Sequence, residues 1–219
     1  MQAEQVRQDQ LANDLSNAST PGYKTDSSPQ QSFGSLLLAN TATGQPIGSI
    51  QTGVGLGKSV VNTAPAPLEQ TGQPLDFGIQ GSGYFAVRTP QGVQYTRNGQ
   101  FQANAQGLLV DSLGDQVLSQ NGAPIAVSGA GTVAPSSLGV FNVTGATKVG
   151  NNNYTGAAAG RGTGSVRQGE LEQSGVDPVQ TMVSMISSLR TYQTGENAIQ
   201  SIDGTMQESA QSVASLGGS

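Results

Sequence analysis

Residues 52–59, TGVGLGKS, hold the glycines, lysine and serine from which phosphate-binding loops are made. That loop requires a glycine five residues before Gly57, and the position is Thr52. Pro65 and Pro67 then stand where the long helix that holds the phosphate would run. The stretch reads instead as a turn-forming connector. Asp76, Asp111 and Asp115 could be imagined as a carboxylate site for hydrolysis. Aspartate near glycine in a β region more often accepts turn N–H groups. Tyr84, Phe85, Tyr95 and Phe101 fall on adjacent predicted strands. They would make a stacking platform for a ligand, but the bulk they supply suits a β-domain core better.

Two absences narrow the chemistry further. The chain has no histidine, so it lacks the commonest general base and metal ligand and every Ser-His or Cys-His pair. It has no cysteine, which excludes disulfides and thiolate metal sites. We therefore expect no enzyme, no cofactor, no metal and no small-molecule substrate. The net charge is −5, and the nine basic residues are scattered from Arg7 to Arg190, which argues against nucleic acid. No stretch approaches the ~20 apolar residues of a membrane span. The opening MQAEQVRQDQ has no apolar core of a cleavable signal, so export is expected without one.

The elements that would position any function lie at the two ends. Residues 2–17 are rich in Gln, Ala, Glu and Leu and free of Gly and Pro, which predicts a helix. Val6, Leu11, Ala12 and Leu15 give it a short apolar stripe, and Ser19-Thr20-Pro21-Gly22 stops it. A helix this short needs a partner. The second helix is predicted over 177–216, about 58 Å long at 1.5 Å per residue. Asp177 is its N-cap, Pro178 its first position, and Gln180 completes a capping-box-like pattern. Met182, Ile186, Leu189, Ile199, Ile202 and Met206 follow helical spacing, and Gly217-Gly218 end it. Its other side is small and uncharged, with Ser184, Ser187, Thr191, Thr194, Ser201 and Thr205, where an exposed helix carries Glu and Lys. Such a helix can be surrounded by neighbours if its hydroxyls find hydrogen bonds.

Between the ends, 25–73 reads as mostly extended, with an apolar island at Phe33 and Leu36–Leu38 and a stiff APAP at 64–67. From residue 75, short period-two runs alternate with turns at Pro90-Gln91-Gly92, Asn98-Gly99, Gln106-Gly107 and Asn121-Gly122. Further strands are predicted at 123–127 and 138–144, and 145–165 reads as a loop or linker. The fold class expected is α+β: an antiparallel β-rich central domain whose N- and C-terminal helices pair in a coiled-coil-like domain. The expected boundaries are 1–35 with 170–219 for the helical assembly domain, 36–73 for an extended connector, and 74–169 for the β-rich domain. The leading functional reading is a self-assembling structural subunit. The alternative is a secreted β-rich carbohydrate or cell-wall binding module carried on a helical stalk.

LANDLSNASTPGYK at 11–24 resembles the N-terminal signature of flagellar rod and hook proteins, with Asn13, Leu15, Asn17, Thr20, Gly22 and Tyr23 in register. PLDFGIQGSGYFAV at 74–87, YTRNGQFQANAQGLLV at 95–110 and RQGELEQSGVDPVQTMVSMISSLRTYQTGENAIQSID at 167–203 resemble three further signatures of that family. The resemblance implies an axial component of the flagellar basal body, built outside the cytoplasm by the flagellar type III export apparatus. It implies inner terminal helices, an outer β-rich domain, and polymerisation into a torque-transmitting helical tube around an export channel. Partners implied are further copies of the chain, other rod and hook axial proteins, and the export apparatus. The compact middle region is more similar to proximal- or distal-rod members than to hook proteins. Leu11, Leu15, Met182, Ile186, Leu189, Ile199, Ile202 and Met206 are the expected helix-packing set. Asn13, Asn17 and Thr20 are expected to satisfy backbone groups where the first helix stops. Two departures stand out. Relatives begin with a further apolar turn or two ending in a Gly-Met step that Met1 matches, and Thr194-Gly195-Glu196 replaces a bulkier stretch, which should loosen the last helix.

Overall fold

The computed structural model describes residues 2–28, 30–32, 35–39, 46–51, 54–57, 59–129 and 131–216. Phe33, Gly217 and Gly218 lie outside the described residues, so the apolar island and the glycine stop of the second helix are read only in part. Two compact units are built from interleaved stretches of chain: Met1–Leu15, Ser28–Ser59 and Pro178–Ser219 form one, Ser16–Ser27 and Val60–Asp177 the other.

The first unit holds both helices, α1 (Gln2–Ser16) and α2 (Pro178–Leu216). α2 runs unbroken through Thr194, Gly195 and Glu196, where the sequence suggested loosening, and through Gly204. Thr191, Thr194, Thr205 and Ser209 each donate to the carbonyl one turn back, at 3.0, 2.8, 2.8 and 2.8 Å. Those four hydroxyls are thereby satisfied within the helix itself. The same unit contains β2 (Gln30–Ser32) paired with β5 (Val54–Leu56), and β3 (Ser35–Ala39) paired with β4 (Pro46–Gln51), all antiparallel. The sequence suggested extended backbone here, but not that it folds back and pairs with itself. Val54–Leu56 of the glycine-lysine stretch lie in β5, and the next regular element is a strand, β6 (Val60–Val61), not a helix. A phosphate loop is thereby excluded.

The second unit is β-rich. β9 (Tyr84–Thr89) pairs with β10 (Gly92–Thr96) along one edge, and with β13 (Gln116–Leu118) and β14 (Val140–Gly150) along the other. β15 (Asn153–Arg161) joins β14 to β10, so the strands close on themselves. β11 (Gln102–Ala103) and β12 (Leu109–Val110) extend the sheet past β13. Outside it, β1 (Asp26–Ser27) pairs with β6, β7 (Leu68–Gln70) with β17 (Glu170–Glu172), and β8 (Phe77–Gln80) with β16 (Ser165–Gln168). Alternation along β9 feeds two cores. Phe85 and Val87 join Phe77, Phe101, Leu109 and Val117, while Tyr84 and Ala86 join Tyr95 and Tyr154. The four aromatics considered as a ligand platform are all buried core residues.

Two strand assignments need correcting. Residues 145–165, read as a linker, form most of the β14–β15 hairpin and the start of β16. Small, mostly exposed Thr, Gly and Ala leave no period-two apolar signal there, so pairing alone makes the strands. Its turn is Asn151-Asn152, with φ of 50° and 60°. That left-handed pair matches the twist of a two-residue hairpin. Residues 123–127 contribute only isolated bridges, at Pro124 and Ala126.

Candidate assembly surface

Within the second unit, the stretch that follows α1 in sequence meets the stretch that precedes α2. Thr20 N–H bonds Asn17 O at 3.1 Å, and Thr20 Oγ1 bonds Asn17 Oδ1 at 3.2 Å. The turn this makes brings Gly22 N–H to Glu172 O at 2.7 Å. Gly175 N–H returns a bond to Tyr23 O at 2.8 Å, and Ser174 Oγ donates to Asn17 O at 2.9 Å. Asn152 Nδ2, on the hairpin turn, donates to Pro21 O at 3.0 Å. Gly22 is required twice over. Its φ is +66°, and a Cβ there would lie 2.4 Å from the carbonyl carbon and oxygen of Arg97. Tyr23 is buried, with Lys148 Nζ 4.1 Å above its ring and 2.9 Å from Asp26 Oδ2.

At the centre of this clamp is a dry ion cluster. Glu172 Oε1 accepts from Lys24 Nζ at 2.5 Å and from Ala66 N at 2.8 Å; its Oε2 accepts from Arg97 Nη1 at 2.8 Å. Lys24 Nζ also donates to Ala64 O at 2.6 Å, and Arg97 Nη2 to Gly81 O at 2.7 Å. The Lys24 and Glu172 side chains are 1% and 0% exposed, and that of Arg97 is 2% exposed. Burial holds the Lys24 amine below its usual value, against the pull of Glu172, and burial raises the hydroxyl of Tyr84, whose ring faces Arg97. The sequence singled out Asn17, Thr20, Gly22 and Tyr23 but none of the three charges. Lys24 and Glu172 are 148 residues apart, and no local pattern joins them.

In the first unit, Ser188 is buried and donates to Glu4 of α1 at 2.8 Å. Thr181, Ser184, Met185, Tyr192 and Gly195 are half-buried on the same side of α2. Leu11 and Leu15 are half-buried on α1. Eight large apolar residues of α2 are exposed: Val179, Met182, Val183, Ile186 and Leu189 in the first half, Ile199, Ile202 and Met206 in the second. At about 100° per residue these two groups point some 160° apart. The second group continues the side of Thr181, Met185, Ser188 and Tyr192, and the first group faces away from it, so the set expected from spacing falls on two sides of α2. Asp177 and Pro178 stand at the start of α2 as expected, with Gln180 in its first turn, and Asn13 is on α1's last turn.

The aspartates do turn work. Asp111 Oδ1 accepts from Leu113 N and Asp115 N, both at 2.9 Å, and Asp76 Oδ2 accepts from Thr71 Oγ1 at 2.6 Å. Among the described residues no three His, Cys, Asp or Glu side chains stand close enough to hold a metal, and no helix is long and apolar enough to cross a membrane.

Residues 78–149 match the family described as the flagellar hook protein FlgE/F/G D1 domain, and residues 167–212 match the flagellar basal body rod FlgEFG protein C-terminal family. The chain is 30% identical to the flagellar basal-body rod protein FlgG of Bacillus subtilis (strain 168), over 93% of this chain and 92% of that one. It is likewise 30% identical to the flagellar basal-body rod protein FlgF of Mesorhizobium japonicum, over 96% and 92%, and to that of Caulobacter vibrioides, over 95% and 91%.

Proposed function

The chain belongs to the flagellar basal-body rod proteins, and we propose that it is a rod subunit that polymerises through α1 and α2 into a helical tube. The observation that carries this reading is the exposure of eight large apolar side chains on one helix, in two groups on opposite sides. One partner covers one face. Two faces call for two neighbours, and an open array of identical copies supplies them. The hydroxyls between the faces already have acceptors inside α2, so covering them costs little desolvation. Leu11, Leu15, Met182, Ile186, Leu189, Ile199, Ile202 and Met206 form the packing set of the assembled state. The helices make the inner, coiled-coil-like layer and the β-rich unit the outer one. Further copies, other rod and hook axial proteins and the flagellar export apparatus are its partners, and the tube surrounds the export channel and transmits torque in the cell envelope.

The test is concentration-dependent polymerisation of the full chain, followed by light scattering and sedimentation, with and without seeds of assembled rod. Growth of filaments of constant diameter is expected. A chain that stays monomeric at high concentration, seeded or not, refutes the reading.

A further inference from the structure

We propose that the Glu172 cluster is an all-or-none clasp: the segment after α1 and the segment before α2 close together and open together, as one step separate from unfolding of the β-rich unit. Three parts of the chain meet on one carboxylate. Its oxygens bind Lys24 from the first segment, Arg97 from the end of β10, and the backbone N–H of Ala66. Its own main-chain carbonyl binds Gly22 N–H. Neither segment can leave alone. If 17–24 peels away, Lys24 departs and Glu172 and Arg97 face a partly wetted gap, while Gly175 N–H loses Tyr23 O and Ser174 Oγ loses Asn17 O. If 172–175 leaves first, Lys24 and Arg97 are left as two buried cations with no carboxylate between them. The second half-open state strands two cations in a dry site, where an unpaired ion is far costlier than a pair, and the first breaks the Lys24–Glu172 pair together with the backbone bonds that join the two segments. Fully open, all three groups reach water. The free-energy profile has two minima with little between, which is the requirement for a switch. Burial of the ions makes it so; an apolar plug of the same volume would open by degrees.

The clasp also sits where the chain changes unit. Residues 16–27 follow α1 and residues up to Asp177 precede α2, so the clasp joins the two stretches of the second unit that lead to the helices in sequence. This coupling is independent of what the helices touch once assembled.

Native-state hydrogen exchange on the full-length chain tests it. The amides of Gly22, Ala66 and Gly175 should share one protection factor within about threefold, although they are far apart in sequence. The amides of Val87 and Val117, in the centre of the sheet, should be at least tenfold more protected. Lys24→Met, which leaves the Glu172–Arg97 pair in place, should speed exchange at all three clasp amides by one common factor. Glu172→Gln should do the same by a larger factor. Protection at Gly22 and Gly175 that differs more than tenfold overturns the proposal, as does a Lys24→Met effect confined to one segment. Equal protection at the clasp and at Val87 overturns it too, because the clasp would then open only with the whole unit. None of these outcomes depends on polymerisation.

Discussion

Leu189→Asp separates folding of the chain from the packing with neighbours proposed for it. In the isolated chain Leu189 is 42% exposed on α2. Asp there keeps access to water, so the fold should lose no more than about 0.5–1 kcal/mol. In the proposed polymer the same position closes. Full burial of a leucine side chain stabilises by roughly 1.5–3 kcal/mol, and the exposed two-fifths of it corresponds to about 0.6–1.2 kcal/mol at each contact. The larger penalty comes from the carboxylate, which would cost several kcal/mol to desolvate; the one basic residue of α2, Arg190, is its chain neighbour and points about 100° away around the helix. Together these give about 3–5 kcal/mol per contact, or roughly two to three and a half decades in the critical concentration for assembly. The assay is light scattering against protein concentration, with far-UV circular dichroism and a thermal melt of the β-rich unit as fold controls. Leu189→Met, which conserves volume and polarity, should stay within a few-fold of the parent. A critical concentration that moves less than tenfold in Leu189→Asp, with the melt unchanged, would refute the argument that this face is covered.

Three further outcomes follow from the second unit. Glu172→Gln presents an amide N–H₂ to Arg97 and leaves two buried cations, so the unit should lose about 3–5 kcal/mol, measured as the denaturant midpoint at constant slope; a loss below 1 kcal/mol contradicts the buried geometry. Gly99→Ala places a Cβ 1.6 Å from the Phe77 carbonyl oxygen and should leave little folded protein, whereas Gly107→Ala meets nothing within 4 Å and should cost only about 1 kcal/mol for its φ of +72°; equal melting points for the two would overturn this. The pH dependence has a definite sign. Lys24 is held below its unfolded value of 10.5, so between the two values the unfolded chain binds the extra proton and stability rises with pH. Tyr84 and Tyr154 are raised above 10.0, so past that pH the unfolded chain loses protons first and stability falls. Melting temperature should climb on the alkaline side and drop beyond about pH 10; Lys24→Met should abolish the climb and keep the drop, and a climb that survives it assigns the effect elsewhere.

What the sequence made legible was whatever repeats at short range. Period-two alternation located β9, because Phe85 and Val87 face one core and Tyr84 and Ala86 the other. Propensity and a proline at the first position located α1 and α2 to within a residue or two. The β14–β15 hairpin was missed because its strands are Thr, Gly and Ala, whose pairing is decided by β9 and β10 rather than by their own side chains. Only the Asn-Asn turn could have announced it. The Glu172 cluster was invisible for a different reason. A buried charge looks like a surface charge in a linear sequence, and here its partners come from positions 24 and 97. Gly22 was the one local hint, since a glycine after proline marks a turn; that the turn presses against Arg97 emerges only in three dimensions.

The placement of polar and apolar groups is inverted relative to a self-sufficient monomer, and the inversion has a direction. Charge is buried where the chain joins its parts, and apolar side chains are exposed on the helix that continues beyond. Burying Lys24, Arg97 and Glu172 contributes little net stability, because desolvation offsets most of the attraction. What it supplies is intolerance of near-miss arrangements, since any displacement of the Gly22 turn strands an ion. Exposing Met182, Ile186, Ile199 and Ile202 likewise stabilises nothing in the isolated chain; it stores free energy that only further contacts release. A subunit that adds to a growing structure benefits from both features. In the proposed polymer the exposed apolar faces of α2 are the surfaces that receive neighbours, so each addition regenerates the surface for the next.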